Sequence, residues 1–310
     1  MTERSIRRAV VTGQTGVVGS ALVRCLIGHG VKVYAVVRPD SPRRAALPEG
    51  ATPVLCDLRD IAHLPERIPG GADAFFHLGW QGAVGKDRQN PALQAQNLPA
   101  SVAAAQAAAA LGCSVFVGAG SQAEHGRVEG LIRADTPCKP LTCYGAAKLC
   151  AGQLTREAAR QAGMAHVWLR ILSVYGPNDA PTYAIPMMIR TLREGGTPAL
   201  TPGEQLWDYI YSADAAEALW LAALRGRDGA VYPLGSGQAR PLREYFEILR
   251  DTCAPGAHLG FGEVPYSPGQ VMHLQADLTP LTRDTGFLPR HSFEQGIRET
   301  LEAYGKAVCP

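Results

Sequence analysis

Tyr144 and Lys148 are the two residues whose types and spacing most directly suggest catalysis. At positions i and i+4 of a helix their side chains share one face, so an ammonium group would lie near a phenol oxygen. A tyrosine has an ordinary pKa of about 10, and one positive charge at about 4 Å contributes about 4 kcal/mol toward ionising it. Such a tyrosine can move a proton to or from an alcohol or sugar oxygen while hydride moves at carbon. Because this spacing also arises by chance, its meaning depends on its surroundings.

A glycine-rich turn near the N-terminus supplies such surroundings. Residues 12–19 read Thr-Gly-Gln-Thr-Gly-Val-Val-Gly, between an apolar run at 9–11 and a helical pattern. Gly13 permits a tight turn, Gly16 lets the backbone approach a phosphate, and Gly19 lets the helix pack on the strand. The turn therefore predicts a cradle for the pyrophosphate of NAD or NADP, formed by Gly13, Gln14, Thr15, Gly16, Val17, Val18 and Gly19.

Short apolar segments alternate with longer helical patterns through the first half of the chain. The later predicted strands are 33–37, 52–55, 74–78, 114–118 and 167–171, and the long helices are 93–111 and 144–162. This alternation predicts an α/β fold with a doubly wound parallel sheet of the Rossmann type, whose ligands bind beyond the carboxyl ends of the strands. After about residue 176 Pro and Gly become frequent, around helices predicted at 183–194, 213–224, 242–253 and 293–304.

The change in character near residue 176 also predicts the domain organisation. We expect a dinucleotide-binding domain at 1–175 and a mainly substrate-binding region at 176–310, smaller than the first, with some segments returning to the sheet. Ser121 follows the fifth predicted strand, where its hydroxyl would bond the reacting oxygen beside Tyr144. We therefore predict Ser121, Tyr144 and Lys148 as the catalytic residues, and expect the last two to contact the cofactor as well.

Residues at the other strand ends predict how the cofactor is held. Asp57 is positioned to accept a hydrogen bond from an adenine amino group, and the remaining contacts are predicted at Leu58, Leu78 and Gly79. Arg38 follows the second strand, where an acid would select NAD and a basic residue accommodates the 2′-phosphate of NADP. With Ser41, Arg43 and Arg44 nearby, Arg38 favours NADP(H), while NAD(H) stays possible. The alternative is a solvated basic loop.

Composition excludes several other classes of function. The 310 residues are 46% hydrophobic, and 30 basic against 28 acidic side chains give a net charge of +2 without a field for nucleic acid. No apolar stretch reaches membrane-spanning length and no signal-peptide core precedes the first strand, so we expect a cytoplasmic protein with no membrane partner. The 8 cysteines show neither Cys-x-x-Cys nor paired-histidine spacing, which predicts free thiols and no metal site.

Further ordered motifs give the chain a family resemblance. Asp135-Thr136-Pro137 precedes Tyr144, and Val174-Tyr175-Gly176-Pro177, the run at 208–214 and Gly286-Phe287 follow it. With these motifs and the Gly-x-x-Gly-x-x-Gly turn, the chain resembles the extended short-chain dehydrogenase/reductases of the NAD-dependent epimerase/dehydratase group. The resemblance covers nearly the whole chain and implies an enzyme that acts on a nucleotide sugar.

Departures from the family pattern narrow the expected reaction. The 4,6-dehydratases of this family carry an Asp-Glu pair directly after the catalytic hydroxyl, whereas this chain has Gln122-Ala123. A standard 4,6-dehydratase is therefore not expected, which leaves reduction of a 4-keto (6-deoxy) sugar or 4-epimerisation with retained NAD. Arg38 favours the reductase, since net reductions generally draw on NADPH. A non-catalytic NADP-binding sensor is the alternative from another class, although such proteins commonly lose the tyrosine and lysine that are present here.

The expected substrate contacts also depart from the family. Trp207 and the run Ser267-Pro268-Gly269-Gln270 replace two arginines that commonly bind the nucleotide diphosphate, and Ser173 replaces an asparagine that contacts substrate. We predict that substrate meets Trp80, Gln122, Ser173 and Trp207. The candidates to replace the missing arginines are Arg190, Arg193, Arg240 and Arg243.

Alanines on the predicted helix 93–111 suggest self-association. The small side chains are Ala100, Ala103, Ala104, Ala107 and Ala108. Such a stripe lets helices pack closely, and in related dimers this helix and the helix 144–162 meet across a two-fold axis. The sequence therefore predicts a homodimer.

Overall fold

The computed structural model describes residues 3–42, 44 and 47–306, and a parallel sheet of seven strands runs through its centre. The strands, in chain order, are β1 (Arg8–Thr12), β2 (Lys32–Val37), β3 (Thr52–Leu55), β4 (Ala74–His77), β5 (Val115–Ser121), β6 (Gly130–Ile132), β7 (Ala165–Ile171), β8 (Ser173–Tyr175), β9 (Ala199–Leu200), β10 (Leu206–Trp207), β11 (Tyr209–Tyr211), β12 (Ala230–Leu234), β13 (Arg240–Pro241), β14 (Gly260–Phe261) and β15 (His273–Ala276).

Helices cover the sheet and form most of the C-terminal region. They are α1 (Val17–Gly28), α2 (Leu64–Arg67), α3 (Pro91–Ala110), α4 (Cys143–Gln161), α5 (Ala184–Arg193), α6 (Ser212–Arg225), α7 (Leu242–Cys253), α8 (Thr279–Thr285) and α9 (Phe293–Lys306). Short 3₁₀ turns occupy Leu58–His63, Gly85–Gln89 and Gln122–Glu124. In the described part of the chain no helix is long and apolar enough to cross a membrane.

The central sheet has the strand order β3-β2-β1-β4-β5-β7-β12, and every adjacent pair is parallel. Because side chains alternate along a strand, Ala9 and Val11 face the core under α1 and α6, whereas Val10 faces the core under α3. Apolar side chains on both faces are the expected consequence of a sheet covered by helices on two sides. The prediction of a doubly wound α/β fold is confirmed.

Alanines of α3 pack against other parts of the same chain. Ala104, Ala107 and Ala108 are buried and belong to the core between α3 and the sheet, which also contains Phe116 and Ala159. Their small size therefore permits close packing within the chain, and these three residues do not supply a dimer surface. The homodimer stays a prediction without this support, and light scattering at micromolar concentration tests it.

The C-terminal region, which we call the cap, has an apolar core of its own that includes Tyr175, Met188, Phe246 and Ile297. A small sheet in the order β13-β10-β15-β6 joins it, so the chain near residue 130 contributes one strand to this region. Conversely, β12 lies at the edge of the central sheet and α6 packs on the core under that sheet. The cap and the central sheet are thus connected by several chain crossings, and β8 pairs with β11 between them.

Candidate active site

A cavity of about 580 Å³ lies where the carboxyl ends of the central strands face the cap. Its wall combines the glycine turn before α1, the ends of β4, β5 and β7, the first turns of α4, and residues of the cap. This position is the usual ligand site of an open parallel sheet.

The three glycines of the turn have different surroundings. Gly13 has a φ of +75°, and a Cβ atom there would lie 2.6 Å from the carbonyl carbon of Leu78. At Gly19 a Cβ atom would lie 2.1 Å from the carbonyl oxygen of Gly13, because α1 crosses β1 closely at this point. Around Gly16 the only atom near such a Cβ is the same oxygen at 3.6 Å, and Gly16 lines the cavity. The first and third glycines are required by the fold, and the second leaves room for a ligand.

A buried network joins the ends of β1 and β4. The hydroxyl of Thr12 accepts hydrogen bonds from the backbone N–H groups of Leu78 and Gly79 at 3.2 and 3.0 Å, and lies 3.0 Å from Nδ1 of His77. His77 Nε2 contacts the hydroxyl of Ser101 at 3.2 Å. Burial lowers the pKa of His77 to about 3, so this imidazole is neutral and holds the strand end in place.

The three predicted catalytic residues line the cavity together. Thr142 caps α4 by accepting a hydrogen bond from the Gly145 N–H at 3.0 Å, which places Tyr144 in the first turn and Lys148 one turn later. Ser121 ends β5, and both Ser121 and Tyr144 line the same cavity. The hydroxyl and the phenol are therefore positioned to bond the same substrate oxygen.

Lys148 lies near Tyr144, but its ammonium group bonds another residue in this structure. Its Nζ atom donates to the carbonyl oxygen of Ala119 at 2.7 Å and lies 3.9 Å from the ring centroid of Trp80, but 5.9 Å from that of Tyr144. Burial lowers the pKa of Lys148 to about 7. Burial also raises the pKa of Tyr144, and the cation that opposes this effect is Arg88.

Arg88 was missed by the sequence analysis. It lies in the 3₁₀ turn Gly85–Gln89, and its Cζ atom stands 4.2 Å from the ring centroid of Tyr144 while Nη1 donates to the carbonyl oxygen of Ala83 at 3.2 Å. No spacing relates this residue to the pair on α4, because the loop after β4 brings it there through space. The cavity thus has a second cation beside the phenol.

Glu124 holds Ser121 through a hydrogen bond to its backbone. Its Oε1 accepts from the Ser121 N–H at 2.8 Å and from Trp168 Nε1 at 3.0 Å, and its Oε2 accepts from Arg170 Nε at 2.8 Å. The side chains of Glu124 and Arg170 are 1% and 7% exposed, so this is a buried ion pair. Ser121 also caps the turn after β5 by accepting from the Ala123 N–H at 3.2 Å.

The four residues predicted to meet substrate all line the cavity. Trp80 donates from Nε1 to Gln94 at 2.9 Å, and its ring meets the ring of Tyr144 nearly edge to face. Trp207 Nε1 donates to the hydroxyl of Ser173 at 2.8 Å, so the two positions that depart from the family pattern contact each other. Trp207 is therefore an anchored part of the wall.

The cap side of the cavity contains one carboxyl group among the described residues. Asp179 lines the cavity, accepts from the Ala180 N–H at 2.8 Å, and has a pKa raised by burial to about 7. Its neighbours in the wall are largely apolar or aromatic, namely Tyr183, Ala184, Ile185, Tyr209, Leu242 and Phe246. No sequence motif marked Asp179 as a cavity residue.

The four arginines considered as diphosphate contacts do not line this cavity. Arg240 pairs with Glu294 at 3.3 Å, and Arg243 donates to the Pro202 carbonyl oxygen at 3.1 Å. Arg193 donates to a backbone oxygen of α9 at 3.3 Å, and Arg190 is exposed on α5. In the described structure they therefore contribute to the cap surface rather than to the cavity wall.

The cofactor residues predicted at the second and third strands lie close together. Arg38 is exposed directly after β2, and Asp57 accepts from the N–H and Nε of Arg59 at 2.9 Å each. The hydrogen bond with Arg59, with a smaller effect of Arg38, lowers the pKa of Asp57. Leu58 lies beneath Gly79, where an added Cβ atom would be 3.0 Å from Leu58 Cδ1. Arg43 lies outside the described residues.

Comparison with known proteins identifies the family. The model of the NAD dependent epimerase/dehydratase family matches residues 9–235. The dTDP-glucose 4,6-dehydratase of Streptomyces niveus is 27% identical over 96% of this chain and 92% of its own length. The UDP-glucose 4-epimerase of Azospirillum brasilense is 28% identical over 98% of this chain and 95% of its own length.

Solved structures agree with this assignment. The dTDP-glucose 4,6-dehydratase of Streptomyces venezuelae, solved with NAD bound, gives a TM-score of 0.83 at 25% identity and covers 97% of each chain. The UDP-glucose 4-epimerase of Thermotoga maritima gives a TM-score of 0.86 at 23% identity, covers 97% of this chain and 99% of its own, and supports the fold alone. These proteins are enzymes, which leaves the sensor alternative without support, and none of them supports a preference for NADP.

Proposed function

Because the chain belongs to the NAD dependent epimerase/dehydratase family, we propose that it reduces the 4-keto group of a nucleotide-linked (6-deoxy) hexose. The observation that carries the proposal is the placement of Ser121 and Tyr144 in the wall of one cavity that also contains the glycine turn. A proton donor, a partner for the reacting oxygen and room for a dinucleotide thus meet in one space.

The residues around the glycine turn fit a nicotinamide dinucleotide. Gly16 leaves space that a Cβ atom would fill, and the N-terminus of α1 directs backbone N–H groups toward a pyrophosphate there. The side-chain oxygen of Gln14 is buried without a hydrogen-bond partner among the described residues. Asp57 and Leu58 would hold the adenine end, and Leu78, Gly79, Tyr144 and Lys148 the nicotinamide end. When bound, the nicotinamide donates or accepts hydride.

The side chains would handle the proton that accompanies this hydride. Burial raises the pKa of Tyr144, so its phenol is protonated at neutral pH and can donate to a keto oxygen. Ser121 would hold that oxygen, and Arg88 would stabilise the negative charge that the phenol acquires as it loses its proton. A protonated tyrosine can therefore supply the proton that reduction of a keto group requires.

Dehydration is a poorer match to the same residues. Glu124, the first acid after Ser121, is occupied by three hydrogen-bond donors and does not line the cavity. Elimination of water would need an additional acid and base, and Asp179 is the carboxyl group in the described part of the wall. These facts support the reductase over a 4,6-dehydratase.

The 4-epimerase with retained NAD is the second candidate. It is favoured by the NAD dependence of the family, and the relatives include UDP-glucose 4-epimerases. Preference for NADPH would favour the reductase, and we propose Arg38 as the residue that contacts the 2′-phosphate because it is exposed where β2 ends. Assembly as a homodimer in the cytoplasm remains part of this proposal.

Cofactor affinity and consumption test the proposal together. We expect NADPH to bind at least about tenfold more tightly than NADH, a difference of about 1.4 kcal/mol, and Arg38→Ala to remove most of it. Arg160→Ala, which removes an equal charge from the exposed end of α4, is the control and should change little. With a 4-keto-6-deoxy nucleotide sugar, one NADPH should be oxidised for each product molecule.

Two different results would contradict the proposal. Interconversion of C4 epimers without net oxidation of the cofactor would replace the reductase by the 4-epimerase. Equal affinity for NADH and NADPH would remove the role of Arg38 and its support for reduction.

A further inference from the structure

Cys25, His29 and Glu217 form a cluster on the outside of the helix pair α1 and α6, apart from the cavity of the active site. Cys25 lies in the last turn of α1, and the backbone N–H of His29 bonds the carbonyl oxygen of Cys25 at 3.0 Å, so their side chains are one helical turn apart. Cys25 Sγ and His29 Nε2 both approach Oε2 of Glu217, at 3.4 and 3.1 Å. The three ligand atoms all lie within 4.8 Å of one another.

We propose that Cys25, His29 and Glu217 bind a zinc ion that joins α1 to α6. Zinc takes sulfur, imidazole nitrogen and carboxylate oxygen in a tetrahedron, with Zn–S of about 2.3 Å and Zn–N and Zn–O of about 2.0–2.1 Å. These bond lengths require about 3.5 Å between sulfur and oxygen and about 3.3 Å between nitrogen and oxygen. The two distances to Glu217 Oε2 are within about 0.2 Å of these values, and Cys25 Sγ and His29 Nε2 lie within 4.8 Å of each other, so side-chain adjustment would bring all three atoms around one ion.

The ligands are held by rigid elements. Leu22 and Leu26 of α1 and Ala216 and Leu219 of α6 are fully buried in one core, which fixes the two helices relative to each other. The ring of His29 stacks on Trp220 with centroids 5.2 Å apart and an interplanar angle of 26°. Support of this kind orients a metal ligand before the ion arrives.

The chemistry of the cluster suits a divalent cation. Binding would replace the thiol proton of Cys25, which passes to solvent as the Zn–S bond forms, and would use the Nε2 lone pair of neutral His29. One thiolate and one carboxylate then neutralise the two charges of the ion. The side chains of His29 and Glu217 are 42% and 26% exposed, so the ion has access from solvent.

A cavity of about 500 Å³ beside the cluster leaves room for a water molecule as fourth ligand. Asp214 in its wall is already bonded to Nδ1 of His291 at 2.8 Å and is therefore not required as a ligand. The remaining charged groups in this wall are Arg24, Arg290 and Glu299. Two guanidinium groups thus face three carboxylates, counting Glu217, so the surroundings do not repel a cation.

Hydrogen bonds alone are the competing explanation for the cluster, because a thiol and an imidazole N–H can both donate to Glu217. The arrangement does not favour a nucleophilic role for Cys25, since His29 bonds the glutamate instead of the sulfur. The thiols of Cys25 and Cys150 are free, so a thiolate–metal signal can be assigned by substituting each of them.

Cobalt(II) titration of the full-length, chelator-treated protein tests the proposal. We expect one Co²⁺ per chain, a thiolate-to-metal charge-transfer band in the near ultraviolet, visible bands of tetrahedral cobalt, and loss of all of them on addition of Zn²⁺. Cys25→Ser should abolish the charge-transfer band. His29→Gln and Glu217→Gln should weaken binding by more than the roughly tenfold that loss of an outer-shell partner costs.

Cys150→Ser removes a half-buried thiol of α4 outside the cluster and should leave the titration unchanged. Zn²⁺ should also raise the thermal midpoint of the unsubstituted protein and of Cys150→Ser, but not that of His29→Gln. Residue 29 lies at the exposed end of α1, so the His29→Gln variant should still fold. Absence of a charge-transfer band, a band that survives Cys25→Ser, or one lost with Cys150→Ser would overturn the zinc site. None of these readouts depends on the proposed reaction.

Discussion

The substitution Glu124→Gln tests how much the stability of the protein and the support of Ser121 depend on one buried charge. The glutamate holds Ser121 through a backbone hydrogen bond and forms an ion pair with Arg170, and the arginine as a whole residue is 6% exposed. Glutamine has nearly the same shape but carries no charge. The guanidinium would then remain buried without a countercharge, beside the amide and His125, whose Nε2 lies 3.4 Å from Nη1.

The expected cost follows from that burial. Removing one partner of a buried ion pair typically destabilises a protein by about 3–5 kcal/mol, because the other charge stays desolvated. We therefore expect urea unfolding of Glu124→Gln to show a loss of free energy of unfolding in this range. Glutamine has one acceptor oxygen where Glu124 has two, so it cannot bond Ser121, Trp168 and Arg170 together. The support of Ser121 therefore weakens, and kcat should fall as well.

Two further variants separate the charge from the general effect of substitution. Glu157→Gln breaks an ion pair with Arg160 in which both side chains are at least half exposed, and it should change stability little. In the double variant Glu124→Gln/Arg170→Met the unpaired charge is gone, so part of the loss should be recovered. A Glu124→Gln variant as stable as Glu157→Gln, or a double variant that only adds further loss, would refute this reasoning.

Three other expectations concern the glycine turn and the charges near the phenol. Gly19→Ala should lower the thermal midpoint, because its Cβ atom would lie 2.1 Å from a backbone oxygen. Gly16→Ala should keep the thermal midpoint of the unsubstituted protein but bind the cofactor more weakly. Equal thermal midpoints for the two variants would contradict this expectation. Arg88→Leu should raise the pKa of Tyr144 further, because it removes the cation beside the phenol. The pH dependence of the rate of alcohol oxidation should then shift to higher pH. An unchanged pH profile would contradict this role of Arg88. Lys148 has a folded-state pKa of about 7 against about 10.5 unfolded, so the unfolded state binds more protons between these values and stability rises with pH there. Lys148→Met should therefore stabilise the cofactor-free protein most below pH 7, with a difference that shrinks toward pH 10; a difference independent of pH would show another cause.

The central sheet could be predicted from the sequence because its strands are short apolar runs between glycines and helices. The fifth strand was predicted to end at Gly118, but β5 continues to Ser121. The glycines that suggested an end instead make room for a neighbouring side chain, since a Cβ atom at Gly118 or Gly120 would lie 2.2 Å from the indole of Trp168. The extent of a strand that depends on a side chain of β7, which follows β6 and α4 in the chain, cannot be recognised from local sequence.

The same limit applies to the active site. Tyr144 and Lys148 could be predicted because one helix carries both, and the glycine turn because its spacing is local. Arg88, Glu124 and Asp179 come from loops or turns that only the folded chain brings to the site, and no short-range pattern links them to α4. The direction in which Lys148 points was likewise set by a tertiary contact, its bond to the carbonyl oxygen of Ala119.

The most direct test of the proposed chemistry is turnover by Tyr144→Phe with matched measurements of cofactor affinity. The substitution removes only the phenol oxygen, so binding of the nicotinamide cofactor and thermal stability should stay near those of the unsubstituted protein. Turnover should fall about 10²–10⁴-fold, the usual contribution of a positioned acid or base. A variant that binds cofactor normally and retains more than about a tenth of the original rate would contradict proton transfer by Tyr144.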